Sequence, residues 1–383
     1  MAKLPDAPDP TLVAVDQAIV KANTASNRTY LGASELGHAC SRRLWMKWRW
    51  VSVEHFDAVT LRRFHDGFAG EDLMAERLKA VDGIRLVVEG PDERQWAVTA
   101  VGEHVQGHLD GAILGIHQAP KTWHVWEHKQ VSEKNWRALK RKKDDFGEKS
   151  ALEAWNETYF VQAQLYMGLT GMKRHYMTIT TPGGRDITSV RTDFQAKAFD
   201  RAIEKAEEIV AAQTAPPRIS EDPEFFLCKW CHLNKNCHGD TTAAVNCRTC
   251  AHSTPVTGGD KGVWWCELHD KKLTLKEQRK GCTKHLFIPE LIPWAHVHLK
   301  DQLNNQIHYR TDAGNEFVNA EHNAWEKTPK HFASKDLQHI TAYNIDNDDV
   351  FFQHMAKFSP SITKVVKGKG KKEELPFNDP WPT

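Results

Sequence analysis

No apolar run in the sequence approaches the ~18 residues that a membrane-spanning helix needs. The opening MAKLPDAPDP also lacks the apolar core of a secretory signal. These absences lead us to expect a soluble cytoplasmic protein with no membrane partner. Charge of one sign is missing as well, since Lys+Arg 51 against Asp+Glu 50 leaves +1. That excludes a globally basic, histone-like binder but permits a locally basic surface. No internal repeat is visible. No G-x-x-x-x-G-K-[ST] phosphate loop occurs, so the chain carries no nucleotide-driven motor of that kind.

What is present is a globular composition. Hydrophobic residues make up 40% and charged residues 26%, which excludes a wholly disordered chain. A length of 383 residues corresponds to about two to three units and can bury a core without disulfide staples. In a reducing compartment the eight cysteines would stay thiols or become metal ligands.

Along the chain, 1–30 is a polar lead-in with one short helix. Residues 31–50 read as a helix opened by Ser34, a capping residue. Residues 58–80 are helical by the three- and four-residue spacing of Leu61, Phe64, Phe68, Met74, Ala75 and Leu78. Over 84–131 the period changes to short runs rich in Val, Ile and Trp, a strand meander. A helix and loop follow over 133–149, and a helix over 151–171. A hairpin turns at Pro182-Gly183-Gly184, and a helix over 194–212 ends before Pro216-Pro217. Beyond 222 the texture shifts to Cys, His and turn residues. Residues 284–355 form a mixed unit without a clear pattern, and 359–383 read as a basic disordered tail.

The strongest chemical signal is Asp110 followed by Glu127-His128-Lys129. Alternate side chains of a strand share a face, so Glu127 and Lys129 point together with Val125, away from Trp126 and His128. If 112–116 and 124–131 form a hairpin, Asp110 joins them. Two carboxylates beside an ammonium suit Mg²⁺ or Mn²⁺ and a phosphoryl substrate. The lysine could orient or deprotonate a water, or stabilise the phosphorus centre. Glu71, on the stripe of Phe64, Phe68, Ala75 and Leu78, is a third candidate, because an acid on an apolar stripe needs a partner. Gly67 and Gly70 beside it would allow close approach of a neighbour. The bland alternative is a surface strand with a salt-bridged Glu and Lys. Gln162 and Tyr166 lie one helical turn apart, on a stripe with Trp155, Tyr159 and Leu169, as core-edge or site-facing residues.

This order of motifs, Gly67-x-x-x-Glu71, Asp110, Glu127-x-Lys129 and Gln162-x-x-x-Tyr166, resembles the RecB-like branch of the PD-(D/E)xK nucleases. The resemblance covers about residues 30–240. It implies an α/β core with a mixed central sheet flanked by helices. It makes Asp110 and Glu127 metal ligands, with the His128 carbonyl as a third, Lys129 the catalytic lysine, and Gln162 and Tyr166 an accessory motif. Glu71 stands where many members carry histidine and phage lambda exonuclease-like members carry glutamate. Leu109 replaces the family's proline.

The cysteines fall into two sets. Cys40 stands before the motifs, and Cys228, Cys231 and Cys237 follow them as C-x2-C-x5-C. Four thiolates can hold a [4Fe–4S] cluster, with zinc or unrelated buried thiols as the alternatives. The 1+3 division and its flanking segments are similar to AddB-type and CRISPR-adaptation iron–sulfur nucleases. In that reading the cluster is a structural staple across a long loop. Cys247, Cys250, Cys266 and Cys282 open with C-x2-C and read as a Zn²⁺ module, with a second cluster as the alternative. His252, His269 and His285 could replace one cysteine there.

A phosphodiesterase needs cations against a polyanion. Arg137, Lys140, Arg141, Lys142 and Lys143 follow the catalytic strand, Arg42 and Arg43 flank Cys40, and the tail adds Lys364, Lys367, Lys369, Lys371 and Lys372. A solvated helix face is the alternative for the first group. Trp136, Trp155 and Trp230 could stack on unpaired bases or lie in the core. The expected division is a lead-in (1–30), a nuclease domain (31–240), a zinc-type module (241–290), an accessory region (291–358) and the tail (359–383). The expected function is metal-dependent hydrolysis of DNA as an exonuclease in recombination or repair. Its partners would be single-stranded or duplex DNA ends and a recombinase, single-strand-binding protein or helicase. A phage-encoded member would work in the host cytoplasm. The rival readings are a structure-specific or CRISPR-adaptation-type endonuclease and a non-catalytic DNA-binding scaffold.

Overall fold

The computed structural model describes residues 9–347 except 25, 91, 260, 325 and 326. The tail expected over 359–383 and its lysines lie outside the described residues. So does most of the start of the lead-in.

Asp9 accepts N–H bonds from Thr11 and Leu12 and opens α1 (Pro10–Ala22), none of whose residues is buried. The single helix expected over 31–50 does not form. Instead Leu31 and Gly32 make a two-residue strand, β1 (Leu31–Gly32), drawn into parallel pairing with Val105 and Gln106. Gly37 then packs so closely on the start of a later helix that a Cβ would lie 3.0 Å from the Glu157 carbonyl oxygen. Only after that contact does α2 (Ser41–Trp48) begin. Its cap is Cys40, whose Sγ accepts the Arg43 N–H at 3.3 Å, and not Ser34.

The helix expected over 58–80 is α3 (Ala58–Lys79), capped by Asp57, which accepts the Thr60 N–H at 2.7 Å. Met74, Ala75 and Leu78 pack against Leu86, Ile113 and Trp126. Phe64 and Phe68, on the same predicted stripe, are exposed; Phe64 meets Phe56 edge-on instead. The stripe is therefore buried at Leu61 and again over Met74, Ala75 and Leu78, and only the second half of the helix packs into this cluster.

The strand region 84–131 divides between two sheets. β2 (Arg85–Val87), β5 (Gly111–Leu114) and β6 (His124–Gln130) enter the main sheet. β3 (Ala97–Ala100) and β4 (Val105–His108) pair with each other, and β4 also pairs with β1. Three helices follow β6: α4 (Glu133–Phe146), α5 (Ala151–Trp155) and α6 (Glu157–Thr170). The expected 151–171 helix breaks at Asn156, which is extended and caps α6 by accepting the Tyr159 N–H. Gly171 closes α6 in the left-handed conformation. The predicted hairpin is β7 (Arg174–Thr180) and β8 (Ile187–Asp193), and α7 (Ala196–Ala211) follows.

The main sheet runs β2-β5-β6-β7-β8, with β6 and β7 parallel and the other pairs antiparallel. The fold is thus α/β with a mixed central sheet. The first five residues of β6 are all buried, as befits a central strand covered on both faces. α3 covers one face and α6 the other.

The cysteine-rich segment is built from short pieces: α8 (Phe226–Lys229), α9 (Asn234–His238), a three-stranded sheet and α10 (Leu275–Lys280). The three strands are β9 (Ser253–Pro255), β10 (Trp264–Cys266) and β11 (Lys271–Leu273), with β10 central. The region that sequence left unassigned is a four-stranded sheet with two short helices. Its strands are β12 (Ala295–Asp301), β13 (Gln306–Thr311), β14 (Glu316–Ala320) and β15 (Lys330–Ala333), in that order. Then come α11 (Ser334–Leu337) and α12 (Ala342–Asp346). One buried apolar cluster runs from Leu31 through Trp264 to Ile340, so these pieces share a core with the main sheet.

Candidate active site

The pairing of β5 with β6 sets the site. Gly111 pairs with Trp126, so Asp110 arrives beside the later residues of β6. Asp110 Oδ2 accepts the His128 N–H at 2.8 Å. The N–H and C=O of one strand residue point to the same edge, so the His128 carbonyl also faces the edge where Asp110 sits. The His128 ring points the other way, where Nδ1 meets Thr178 Oγ1 at 3.1 Å and Nε2 meets Thr180 Oγ1 at 3.2 Å. Burial, then Lys129, pulls this histidine down to about 4 and keeps it neutral.

Glu127 and Lys129 share a face as the period of two requires, and Lys129 Nζ donates to Glu127 Oε1 at 2.5 Å. Gln162 Nε2 donates to the same oxygen at 2.8 Å from α6. Glu127 Oε2 is buried with no hydrogen-bond partner among the described residues. A buried, unsatisfied carboxylate oxygen is costly unless a cation meets it. Burial first, and Asp110 next, raise the Glu127 carboxyl to about 8. Burial also raises Asp110, against the pull of Lys129. For Lys129, burial lowers the pKa, but Glu127 and Asp110 more than offset it and hold the ammonium above the ordinary lysine range.

Glu71 reaches the group from α3. Gly70 permits this approach, because a Cβ there would lie 2.6 Å from Gln130 Oε1 on β6. Gly67 does not share that role, having no neighbour within 4 Å of a Cβ. Burial, then Asp110, raises Glu71 to about 7. Mutual repulsion of three acids in one buried place is what a divalent cation would relieve. Tyr166 is buried one turn beyond Gln162, its ring lying on Gly107, where a Cβ would overlap it. Burial, then Glu127, holds its phenol above the usual range. Tyr159, which the sequence places on the stripe of Gln162 and Tyr166 without a role of its own, has its ring 5.9 Å from Lys129 Nζ. The signal was its spacing, three residues before Gln162 on one helix face.

The α4 cations are more engaged than expected. Arg137 pairs with Glu133, and Lys143 donates to the Ser189 carbonyl at 2.5 Å. Lys140 and Lys142 lie over Trp136 and Phe146. Arg141 is exposed. Trp136 and Trp155 pack partly against the core, whereas Trp230 is 83% exposed.

None of the eight cysteines is in a disulfide. Cys40, Cys228, Cys231 and Cys237 line one cavity of about 20 Å³, with Met46, Leu227 and Leu233. Cys247, Cys250, Cys266 and Cys282 line another of about 330 Å³. Burial, then the neighbouring cysteines, pushes the Cys247 thiol up to about 12. Of the nearby histidines, His252 Nε2 meets Asn305 Oδ1, and His285 is buried against Asn246 and Thr249. His269 lies 3.8 Å from Cys282 Sγ. Among the described residues, no group of three or more His, Cys, Asp or Glu side chains is placed so that it could hold a metal ion. No described helix is long and apolar enough to cross a membrane.

No family model matches the sequence, and no match to a curated protein was found. Among solved structures, an alkaline exonuclease from Laribacter hongkongensis is 13% identical at a TM-score of 0.34. That match covers 51% of this chain and 91% of that one. The protein SSO0001 gives the same identity and TM-score, covering 60% and 96%. A phage-related exonuclease from Haemophilus somnus is 12% identical at 0.27, covering 39% and 70%. Likenesses this slight carry nothing about the activity of this chain.

Proposed function

We propose that the chain is a divalent-metal-dependent nuclease of DNA, acting as an exonuclease. The observation that supports this best is the buried Glu127 Oε2, which has no partner among the described residues. It stands where Asp110, Lys129 and Glu71 converge. A lone structural ion pair would not gather three carboxyls in one place.

Asp110 and Glu127, with the His128 carbonyl and Glu71, would hold Mg²⁺ or Mn²⁺, since the donors are all hard oxygens. Such a cation would neutralise phosphoryl charge and acidify a bound water. The residues themselves do the rest. Lys129, which Glu127 and Asp110 hold protonated in the metal-free chain, would present an ammonium to the phosphoryl oxygens. Gln162 holds Glu127 in place through Oε1. Tyr166 closes the site behind it. Arg141 and the other α4 cations, Arg137, Lys140, Lys142 and Lys143, border the path of a DNA backbone, with Trp230 a candidate for stacking on a base.

The first cysteine set is proposed to carry a [4Fe–4S] staple. It would join the start of α2 to α8 and α9 across the length of the nuclease domain. The second is proposed to bind Zn²⁺ through four thiolates. These sites, the domain division at 31–240, 241–290 and 291–358, and a recombinase, single-strand-binding protein or helicase as partner belong to the same reading.

The test is degradation of linear and covalently closed circular duplexes in Mg²⁺ or Mn²⁺. Loss of linear DNA alone supports the exonuclease. Cutting of the circle would favour a structure-specific or CRISPR-adaptation-type endonuclease. Binding without cleavage of either would leave the scaffold reading.

A further inference from the structure

Two arginines lie in the core without an anion. Arg49 is 0% exposed and Arg248 is 1% exposed. Arg49 donates to the carbonyls of Arg248 at 3.0 Å and Ala212 at 2.8 Å. Arg248 donates to Gln278 Oε1 at 3.0 Å and to the carbonyls of Trp48 and Thr29 at 3.1 and 2.8 Å. Every one of these acceptors is neutral, and Arg49 Nε has no partner among the described residues. The Trp264 ring lies 5.4 Å from one guanidinium and 4.8 Å from the other, so two like charges meet one aromatic ring. Carbonyls and rings solvate a cation but do not cancel it, and an uncompensated buried charge is costly.

The groups beside them that can become anionic are cysteines. Arg248 stands between Cys247 and Cys250, which are both buried, and Arg49 feels the charge of Cys250. Trp264 lies on β10, which also carries the buried Cys266. As four thiols the set is neutral. When a divalent cation replaces the four S–H protons, the centre carries two negative charges; Lys271 and Lys284 line its cavity, and Arg49 and Arg248 are the cations buried in the core beside it.

We propose that Arg49 and Arg248 are the counter-charges of a dianionic metal–tetrathiolate centre at Cys247, Cys250, Cys266 and Cys282, and that they set its affinity for the metal. The inference rests on reading that set as a metal site. It also gives the centre a structural reach. Arg49 is the C-cap of α2, and Cys40 of the first set is its N-cap. Metal at the second set therefore seats one end of the helix whose other end carries the first.

The test uses full-length protein and Zn²⁺ alone. Elemental analysis of the wild type and of Cys266→Ser comes first, followed by competition for zinc with a chromophoric chelator. Arg49→Met and Arg248→Met should each weaken zinc binding at least tenfold, about 1.4 kcal/mol. Arg49→Lys, which keeps the charge but loses the paired carbonyl bonds, should stay within a few-fold of wild type. Wild-type affinity in both methionine variants, whatever their melting temperature, would overturn the counter-charge role while leaving the zinc site standing. If Arg49→Met does not fold, Arg248→Met decides, and wild-type zinc affinity there overturns the proposal. A wild type without zinc that Cys266→Ser can remove would sink the metal reading itself, and this inference with it.

Discussion

Replacing Glu127 by glutamine should stabilise the metal-free protein at alkaline pH and bring little gain at acid pH. Glu127 is 2% exposed, and burial with Asp110 beside it moves its carboxyl from 4.5 to about 8. Below the unfolded value both states hold the proton, and the full stability is present. As pH rises through this window the unfolded chain ionises first, so stability falls until the folded carboxyl also ionises. A rise of about 3.5, at ~1.4 kcal/mol per unit, sets a ceiling of about 5 kcal/mol. Ion pairing with Lys129 and shared titration with Asp110 and Glu71 make about 2–3 kcal/mol the working expectation. Glutamine keeps an oxygen for Gln162 and cannot ionise. Denaturant unfolding of both proteins in EDTA, from about pH 4.5 to about pH 8.5, reads the difference directly. It should grow in favour of the variant as pH rises. A difference constant with pH, or one growing in favour of wild type, would refute the electrostatic account. Mn²⁺ should then stabilise the wild type far more than the variant, because the cation satisfies a charge that glutamine lacks.

Three other outcomes follow from separate parts of the molecule. Cys40→Ala should remove the iron and the broad absorption near ~400 nm from anaerobically purified protein, and lower stability by ~2–5 kcal/mol; a colourless wild type with zinc in both sets would discard the cluster. Gly107→Ala should cost ~1–3 kcal/mol in unfolding experiments because its methyl meets the Tyr166 ring, and a neutral result would mean that this contact yields freely. Arg141→Ala should weaken DNA binding and reduce the slope of log affinity against log salt by ~1; an unchanged slope would take α4 off the DNA path.

Much of the candidate site's geometry was legible because strand periodicity is local. Glu127 and Lys129 share a face by the period of two, and the antiparallel pairing of β5 with β6 brings Asp110 alongside. Gln162 and Tyr166 were legible for the same reason on a helix. Glu71 was legible only as an acid among apolar residues, and its stripe misled. Phe64 and Phe68 are exposed, because α3 packs on the sheet with its second half only. The entry segment misread for a different reason. Ser34 has a cap's chemistry, but Leu31 and Gly32 are claimed by β4, 74 positions along the chain (Leu31 to Val105), and no local rule sees that pairing. The buried pair Arg49 and Arg248 was invisible too, since sequence assigns arginine to the surface. Only the stacking of Trp45, Trp48, Trp50 and Trp264 around them marks their place.

The central claim is that Asp110, Glu127 and Lys129 form a hydrolytic site for phosphodiesters. The most direct measurement is single-turnover degradation of an end-labelled linear duplex in Mn²⁺ by wild type, Asp110→Ala and Lys129→Ala, with DNA affinity and melting temperature taken on the same samples. The account predicts nucleotide release by the wild type, a loss of at least ~10³-fold in both variants, and folding and DNA binding close to wild type. Cleavage by Lys129→Ala at the wild-type rate would contradict it.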